Sequence, residues 1–594
     1  MLSQLVLMAG NLKRSKGAFA LLDWGVWLWQ LRRLGLHESY QNWIAYQETH
    51  AATENAAQVF PSKSDQPWLS FITPIYNTPP DVLRATLDSV RAQAGGWELC
   101  AADASDAGAE ASQVLAEYAQ IDSRIRVLRL ADNQGISGNS NQAIAMARGE
   151  YLALLDHDDL LAPNMVSAVH ALVTAHPDAD IIYYDEDKLT ADGQERHEPW
   201  FKPHTWSPDM LLCANFLMHS VVRRRLAEDA GLFDPRTDGA QDWDLMLRCS
   251  ERTEAIYHIP KVLYHWRQVE GSTAESSNAK PWVFDSQRQV LLQHLRRLGI
   301  AKPEISQQKY GYQVSWPVCP AQVSVIVTSR DAPRAMHRCL KLLQQEVEPL
   351  QIEVLVVDKG SRRTDALSRG ETLQGSITAK IIQASSPGEA DARNLGARQA
   401  QGNLLLFLDD CLKAETPRWI EEMARWTQHP QVGAVGSKLF FSNGRVQHAG
   451  LVLGQDQTPH FLFQGAHESY SGFFGAIDWY RTCHAVSGDC LMVSRKAFWE
   501  AGGFDEDRQE TLFQSGASSE GTRLAIGLCV RLREHGLRTV YTPYAALRYH
   551  CRRKQATPLC YQEGNPVRND DFGNPNLVFD RFVPCLPHTV ASWQ

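Results

Sequence analysis

One order of apolar runs occurs twice in this chain, and that repetition limits the folds open to it. Leu69-Ser70-Phe71-Ile72-Thr73-Pro74 reads as a short strand breaking into a turn, and Val323-Ser324-Val325-Ile326-Val327-Thr328 repeats it about 250 residues later. A Pro-containing turn and an amphipathic helix follow each; in the first copy Pro79-Pro80 opens the helix and Val82, Leu83, Leu87 and Val90 line one face. A second run ends at an aspartate, Trp97 to Ala102 before Asp103 and Val354 to Val357 before Asp358. Helices are expected over 133–147 and 387–400. A fourth, wholly apolar run then meets carboxylates: Tyr151 to Leu155 before Asp156, and Leu404 to Leu408 before Asp409. Apolar strands alternating with helices predict an α/β fold with a mostly parallel sheet covered on both faces. Both copies close alike, at Pro260 to His265 and Pro543 to His550, so the chain reads as two tandem α/β domains.

The expected division is an N-terminal helical segment over 1–66, domains over 67–303 and 321–555, a linker over 304–320 and an aperiodic tail over 556–594. At about 150 residues per domain, 594 residues accommodate it. The balance of 59 Lys and Arg against 68 Asp and Glu, net −9, argues against a nucleic-acid partner, which needs a basic stripe. Twelve cysteines with no CxxC pair read as reduced thiols in a cytosol-like compartment. No signal peptide and no membrane-spanning run are expected. Trp24 to Leu31, interrupted upstream by Asp23 and flanked by Lys13, Arg14, Lys16, Arg32 and Arg33, suits a helix in a membrane interface or one packed on its own protein, and composition favours packing.

The chemistry-bearing signal is Asp156-His157-Asp158-Asp159, directly after an apolar strand. Ligands of open α/β sheets bind at the carboxyl ends of strands. Crowded carboxylates there repel one another unless a cation sits among them, and hard oxygen donors suit Mg²⁺ or Mn²⁺. A solvated acidic turn is the competing reading. The second signal is Gln241-Asp242-Trp243-Asp244-Leu245. Positions i and i+2 of a helix do not share a face, so only one of Asp242 and Asp244 is expected to enter a site; two ordinary first-turn acids on the helix dipole are the alternative.

Taken in order, these motifs resemble glycosyltransferase family 2, which has the GT-A fold, over roughly 67–274 and 321–577. Pro74-Ile75-Tyr76-Asn77 resembles its nucleotide-binding loop, and Asp103 the aspartate that hydrogen-bonds the base. The usual paired Asp is missing, because the sequence reads Ala101-Ala102-Asp103. Asn133 to Asn141, with Gly135, resembles the turn and helix near the donor, and Asp156 to Asp159 the metal-binding DxD with an extra Asp. Tyr184 to Lys188, Phe201-Lys202-Pro203, Gln241 to Leu245 and Tyr264-His265-Trp266-Arg267 are similar to a rhamnosyltransferase-like subgroup that builds bacterial O-antigen and other surface polysaccharides.

The resemblance implies sugar transfer with inversion, from a nucleotide-sugar donor to a glycan or lipid-linked glycan acceptor. It implies Asp242 as base and a divalent cation (Mn²⁺ or Mg²⁺) at Asp158 and Asp156. His265 is a further ligand, a diphosphate contact or a core histidine, and Arg267 pairs with phosphate. Asp159, Asp185, Glu186, Asp187, Asp244 and Trp266 fall on the acceptor side, with a solvated loop the alternative for 185–187 and core packing for Trp266. The implied location is cytoplasmic, with peripheral contact at the inner face of the cytoplasmic membrane where the acceptor is lipid-linked.

The second copy keeps the scaffold but not the acids. Its DxD position reads Asp409-Asp410-Cys411, and the positions of Asp242 and Asp244 fall on Ala525 and Gly527. It is expected to have lost transfer activity and to bind glycan, bind a partner or prop the first copy; the rival is a second working site, which would make the chain a bifunctional transferase, and a glycan-binding scaffold without catalysis is the alternative for the whole chain.

Overall fold

The computed structural model describes residues 40–41, 43–45, 66–268, 282–343, 350–361, 378–453, 459–505, 519–550, 577–578 and 583–584. The first sheet contains β1 (Leu69–Ile75), β2 (Trp97–Asp103), β3 (Ile125–Arg129), β4 (Tyr151–Leu154), β5 (Leu160–Leu161), β6 (Ile181–Leu189), β7 (Arg196–Trp200), β8 (Val221–Arg223) and β9 (Ile256–Arg267). Its order is β3-β2-β1-β4-β8-β6-β9-β5, with β7 paired to β6. Strands β1 to β4 are parallel, β8 runs against both neighbours, and β6 and β9 are parallel again. The apolar runs are continuous because both faces are covered: Phe71 and Ile75 pack with Leu83, Leu87 and Val114, while Ile72 packs with Ala143 and Ile144.

The hairpin β10 (Glu304–Gln308) and β11 (Gly311–Ser315) precedes the second sheet. That sheet is built from β12 (Gln322–Ser329), β13 (Gln351–Asp358), β14 (Thr378–Gln383), β15 (Leu404–Leu408), β16 (Leu412–Ala414), β17 (Val432–Phe440), β18 (Val446–His448), β21 (Arg481–Cys483), β22 (Cys490–Ser494) and β23 (Arg538–Tyr549). Between β18 and β21, β19 (Leu451–Leu453) and β20 (Pro459–Phe461) form a separate pair. The order β14-β13-β12-β15-β22-β17-β23-β16 repeats the first sheet strand for strand.

The duplication extends to single hydrogen bonds. Ser70 Oγ donates to Glu98 (2.8 Å) and accepts the Gly149 N–H (2.9 Å). Ser324 Oγ donates to Glu353 and accepts the Gly402 N–H (2.8 Å). A Cβ would stand 2.7 Å from Ser70 Oγ at Gly149 and 2.6 Å from Ser324 Oγ at Gly402, so both crossings require glycine. The Asn141 amide clamps the Phe233 backbone (2.8 and 3.1 Å), and Asn394 clamps Phe504 (2.8 and 3.0 Å).

Several expectations need correcting. Residues 304–315 of the stretch between the two sheets form the β10–β11 hairpin, with Tyr312 and Val314 buried in a core shared by both sheets. The alternating residues of such a short hairpin give too little signal to mark it in sequence. Residues 185–187 are not a solvated loop but the interior of β6, because partners lying far away in sequence neutralise their carboxylates. Cys411 is disulfide-bonded, so the thiols are not all reduced. The Trp24–Leu31 segment lies outside the described residues, as does nearly all of the tail. Of 1–66, Tyr40, Trp43 and Ile44 pack on Phe201 and Val262. Among the described residues no helix is long and apolar enough to cross a membrane.

Candidate active site

The turn after β4 is folded back onto the sheet when β5 pairs with β9, Leu160 opposite His265 and Leu161 opposite Tyr264. The Tyr264 hydroxyl donates to Asp159 Oδ2 (2.6 Å) and accepts the Asp156 N–H (3.2 Å). The Arg267 N–H donates to Asp159 Oδ1 (2.8 Å), so both Asp159 oxygens are engaged and the side chain is buried. Burial pushes the Asp159 carboxyl well up, and its neighbours Asp158 and Asp156 add to this. Asp158 is raised in the same way, by burial first and by Asp156 after the opposing pull of His157. The Arg267 guanidinium is tied to the carbonyls of Asp158 (2.8 Å) and Ala191 (3.2 Å).

His219, just before β8, enters this turn from the side. Its ring stacks on Tyr264 with centroids 3.9 Å apart, and its Nδ1 lies 2.9 Å from Glu186 Oε2. Lys202 Nζ donates to the same oxygen (2.9 Å). Burial alone would raise the Glu186 carboxyl, but Lys202 and His219 outweigh it and hold it at about 2. Ligand atoms of Asp156, Asp159 and His219 lie within 4.8 Å of one another. Two carboxylates and an imidazole backed by a carboxylate form a donor set that fits Mn²⁺ or Mg²⁺. Sequence reading missed His219, because no spacing ties it to the Asp156 turn. His265, named in its place, gives Nδ1 to Asp187 Oδ1 (2.6 Å); Asp187 also accepts from Tyr40 (2.6 Å) and Arg196 (2.6 Å).

Asp242 stands in the first turn of the Gln241–Ser250 helix and accepts from Asn215 Nδ2 (2.8 Å). Burial raises its carboxyl to about 6; the Trp243 N–H opposes this, the Asp156 charge adds to it, and the His219 charge opposes it. Asp242 and Asp244 point apart, as helical spacing requires. Asp244 is buried against Arg248 (2.6 Å), which also binds the carbonyls of Ala230 and Leu232.

At the carboxyl end of β1, Pro74 and buried Ile75 lead to exposed Tyr76 and to Asn77, whose φ is 50°. The Asn77 amide pairs with Asp106 (2.7 and 2.9 Å). Asp103 holds its own loop, accepting from Ser105 N–H (3.0 Å) and Ser112 (2.6 Å) and pairing with Arg129 (2.9 Å). Gly135 has φ +77°, and a Cβ there would meet Asp238 at 2.5 Å. Asp185 accepts from the Lys202 N–H (2.8 Å) and lies 2.9 Å from His258 Nε2. Trp266 is half-buried and makes a T-shaped contact with the His219 ring. The structure thus gathers Asp156, Asp158, Asp159, His219 and Asp242. The polar groups of Asp103, Asn141, Asp185 and Asp244 bind elsewhere within the protein.

The second sheet differs at the matching places. Strand register aligns Pro74 with Thr328 and Asp103 with Asp358, and the asparagine clamps align Ile136 with Glu389. Glu389 there accepts from Thr328 (2.7 Å) and Arg393 (2.7 Å) and pairs with Lys359. An ion-pair network therefore fills the ends of β12 and β13. Asp409, Asp410 and Cys411 converge, but a disulfide sulfur is not a thiolate ligand.

The sequence matches the family described as "Glycosyl transferase family 2" over residues 70–224 and 324–502. It is 36% identical to the uncharacterized protein y4gI of Sinorhizobium fredii, across 89% of this chain and 59% of that one. It is 32% identical to the O-antigen biosynthesis protein RfbC of Myxococcus xanthus, across 91% of this chain and 42% of that one. The chain thus spans roughly half the length of these relatives. Among solved structures, S. aureus TarS 1–349 in complex with UDP-GlcNAc matches 38% of this chain and 66% of its own, at 19% identity and a TM-score of 0.32.

Proposed function

Because the chain belongs to glycosyl transferase family 2, with more than half of its residues in the matched segments, we propose that its first half transfers a sugar, with inversion, from a nucleotide-sugar donor to a growing bacterial surface glycan. The observation that carries this reading is the convergence of Asp242 with the Asp156–Asp159 turn at the carboxyl ends of the strands. An acceptor hydroxyl is a weak nucleophile, and Asp242 takes its proton as the oxygen attacks the anomeric carbon and the bond to the nucleoside diphosphate breaks. A carboxyl raised to about 6 is a stronger base than an ordinary one and is still ionised at neutral pH.

Asp156, Asp159 and His219 would hold the divalent cation, with Asp158 in the same turn; His265 Nδ1 is engaged by Asp187. When bound, that ion supplies charge stabilisation for the departing diphosphate. Glu186 fixes the His219 ring, and Tyr264 fixes the turn. Tyr76, Asn77 and Gly135 border the donor side, and the buried Asp185–Asp187 strand backs the site. The domain limits proposed are 67–303 and 321–555, the second a scaffold without transfer activity; its ion-paired strand ends and oxidised Cys411 support that assignment. The name of RfbC supports an O-antigen-like acceptor, and a lipid-linked acceptor would place the protein at the inner face of the cytoplasmic membrane.

The test is nucleotide release from a panel of nucleotide sugars with Mn²⁺ or Mg²⁺, with and without envelope glycan. Metal-dependent release from one donor, lost in Asp242→Asn, is expected. Equal release by wild type and variant would move the chemistry away from Asp242.

A further inference from the structure

We propose that Asn215 positions the Asp242 carboxylate and that the second half of the chain holds Asn215 in place, so that the first site depends on the second half for its geometry. This inference rests on the proposed transferase and adds a residue and a coupling to it. Asn215 Nδ2 donates to Asp242 Oδ2 at 2.8 Å. A carboxylate only accepts, so this bond fixes which way the amide faces. The amide's other end, Oδ1, is buried without a partner, the condition of a group that meets a ligand hydroxyl when substrate binds.

Asn215 follows the short Pro208–Leu211 helix, whose anchors come largely from beyond the first sheet. Asp209 is 1% exposed, accepts from Thr482 Oγ1 (2.8 Å) and pairs with Arg538 (3.0 Å). Ser207 Oγ accepts the Thr482 N–H (3.1 Å), and Cys213 Sγ accepts the Tyr480 N–H (3.3 Å). The Cys213 carbonyl accepts the Tyr312 N–H (3.1 Å) from the hairpin. On the side of the first site, Trp243 Nε1 donates to the Leu211 carbonyl (2.9 Å), next to Asp242 itself. The segment 207–215 is therefore a strut from β21 and β23 to the base. Moving its anchored end moves the amide at its free end.

The test is a double-mutant cycle on the full chain. Asn215→Ala is expected to lower kcat for sugar transfer about 10-fold or more, with little change in the donor KM, because it removes a hydrogen bond to a charged group that acts in the transition state. Thr482→Val, which leaves the Asp209–Arg538 ion pair in place, is expected to lower kcat several-fold in wild type and less than about twofold in the Asn215→Ala background. Hydrogen exchange of amides 207–216 gives a readout independent of activity, with faster exchange expected in Thr482→Val and in the more severe Asp209→Asn. Additive kinetic effects, or exchange unchanged in both variants, would overturn the coupling. A wild type that releases no nucleotide would instead sink the transferase reading, and the exchange result would still decide the strut.

Discussion

Replacing Asp242 with asparagine separates catalysis from stability. In the folded protein, burial lifts this carboxyl from 3.8 to about 6, so keeping it ionised at pH 7 costs on the order of 3 kcal/mol at about 1.4 kcal/mol per pKa unit. A raised folded pKa means that the folded form binds the proton better. The stabilising contribution is complete below about pH 4 and is lost as the pH rises through about 6. Asparagine carries no charge and is nearly isosteric, and its Oδ1 still accepts from Asn215 Nδ2. In a chelator, thermal unfolding of Asp242→Asn should therefore match wild type near pH 4 and exceed it above pH 6, by a few kcal/mol at most. Transfer should move the opposite way, with a kcat about 10²–10⁴-fold lower in the variant, the usual contribution of a general base. The wild-type rate should fall with an acid limb near pH 6. A variant that keeps more than a tenth of the rate would refute the assignment, as would an acid limb near pH 4 or a midpoint below wild type at pH 7.5.

Two further outcomes follow from the same cluster. Asp156→Ala should abolish the rise in melting temperature that Mn²⁺ gives wild type, read by thermal shift without any substrate, because a bound ion stabilises only the state that holds it. Lys202→Met should cost about 3–5 kcal/mol by leaving the Glu186 carboxylate buried with His219 alone, visible in the thermal midpoint at pH 7. That loss should shrink as the pH falls from about 4.5 toward 2, where the lowered Glu186 carboxyl takes up its proton in wild type.

The strands and their duplication were legible because continuous apolar runs and helical periodicity are local properties. The turn at Asp156 and the divergence of Asp242 from Asp244 were legible for the same reason: a strand end and a helical angle fix each one. What the sequence hid was pairing at a distance. Residues 185–187 look solvated because their partners are scattered. Lys202 and His219 serve Glu186, Tyr40 and His265 serve Asp187, and His258 serves Asp185. The placement of His219 was invisible because only the crossing of β8 beside β4 brings it to Asp156. The hairpin at 304–315 was hidden by the prolines and polar residues around it, which read as connection.

Comparing the two halves separates scaffold from chemistry more sharply than either half alone. The serine–glutamate–glycine brace and the asparagine clamp occur in both, with the same partners and nearly the same distances. Since the bonds are shared while the second half carries Ala525 and Gly527 where the first has Asp242 and Asp244, these bonds belong to the scaffold; they hold strand ends and the Gly135–Met146 helix in register. By the same logic, the residues that set the first half apart are those whose counterparts changed character: Asp242 against Ala525, the open strand end at Pro74 against Thr328, and Ile136 against the Glu389 network. On the proposed assignment, ion pairs at the strand ends would be disallowed in the half that binds a diphosphate and are tolerated in the half that does not. What the second half still has to preserve is the face carrying Thr482 and Arg538, because a buried ion pair with Asp209 penalises loss of either partner.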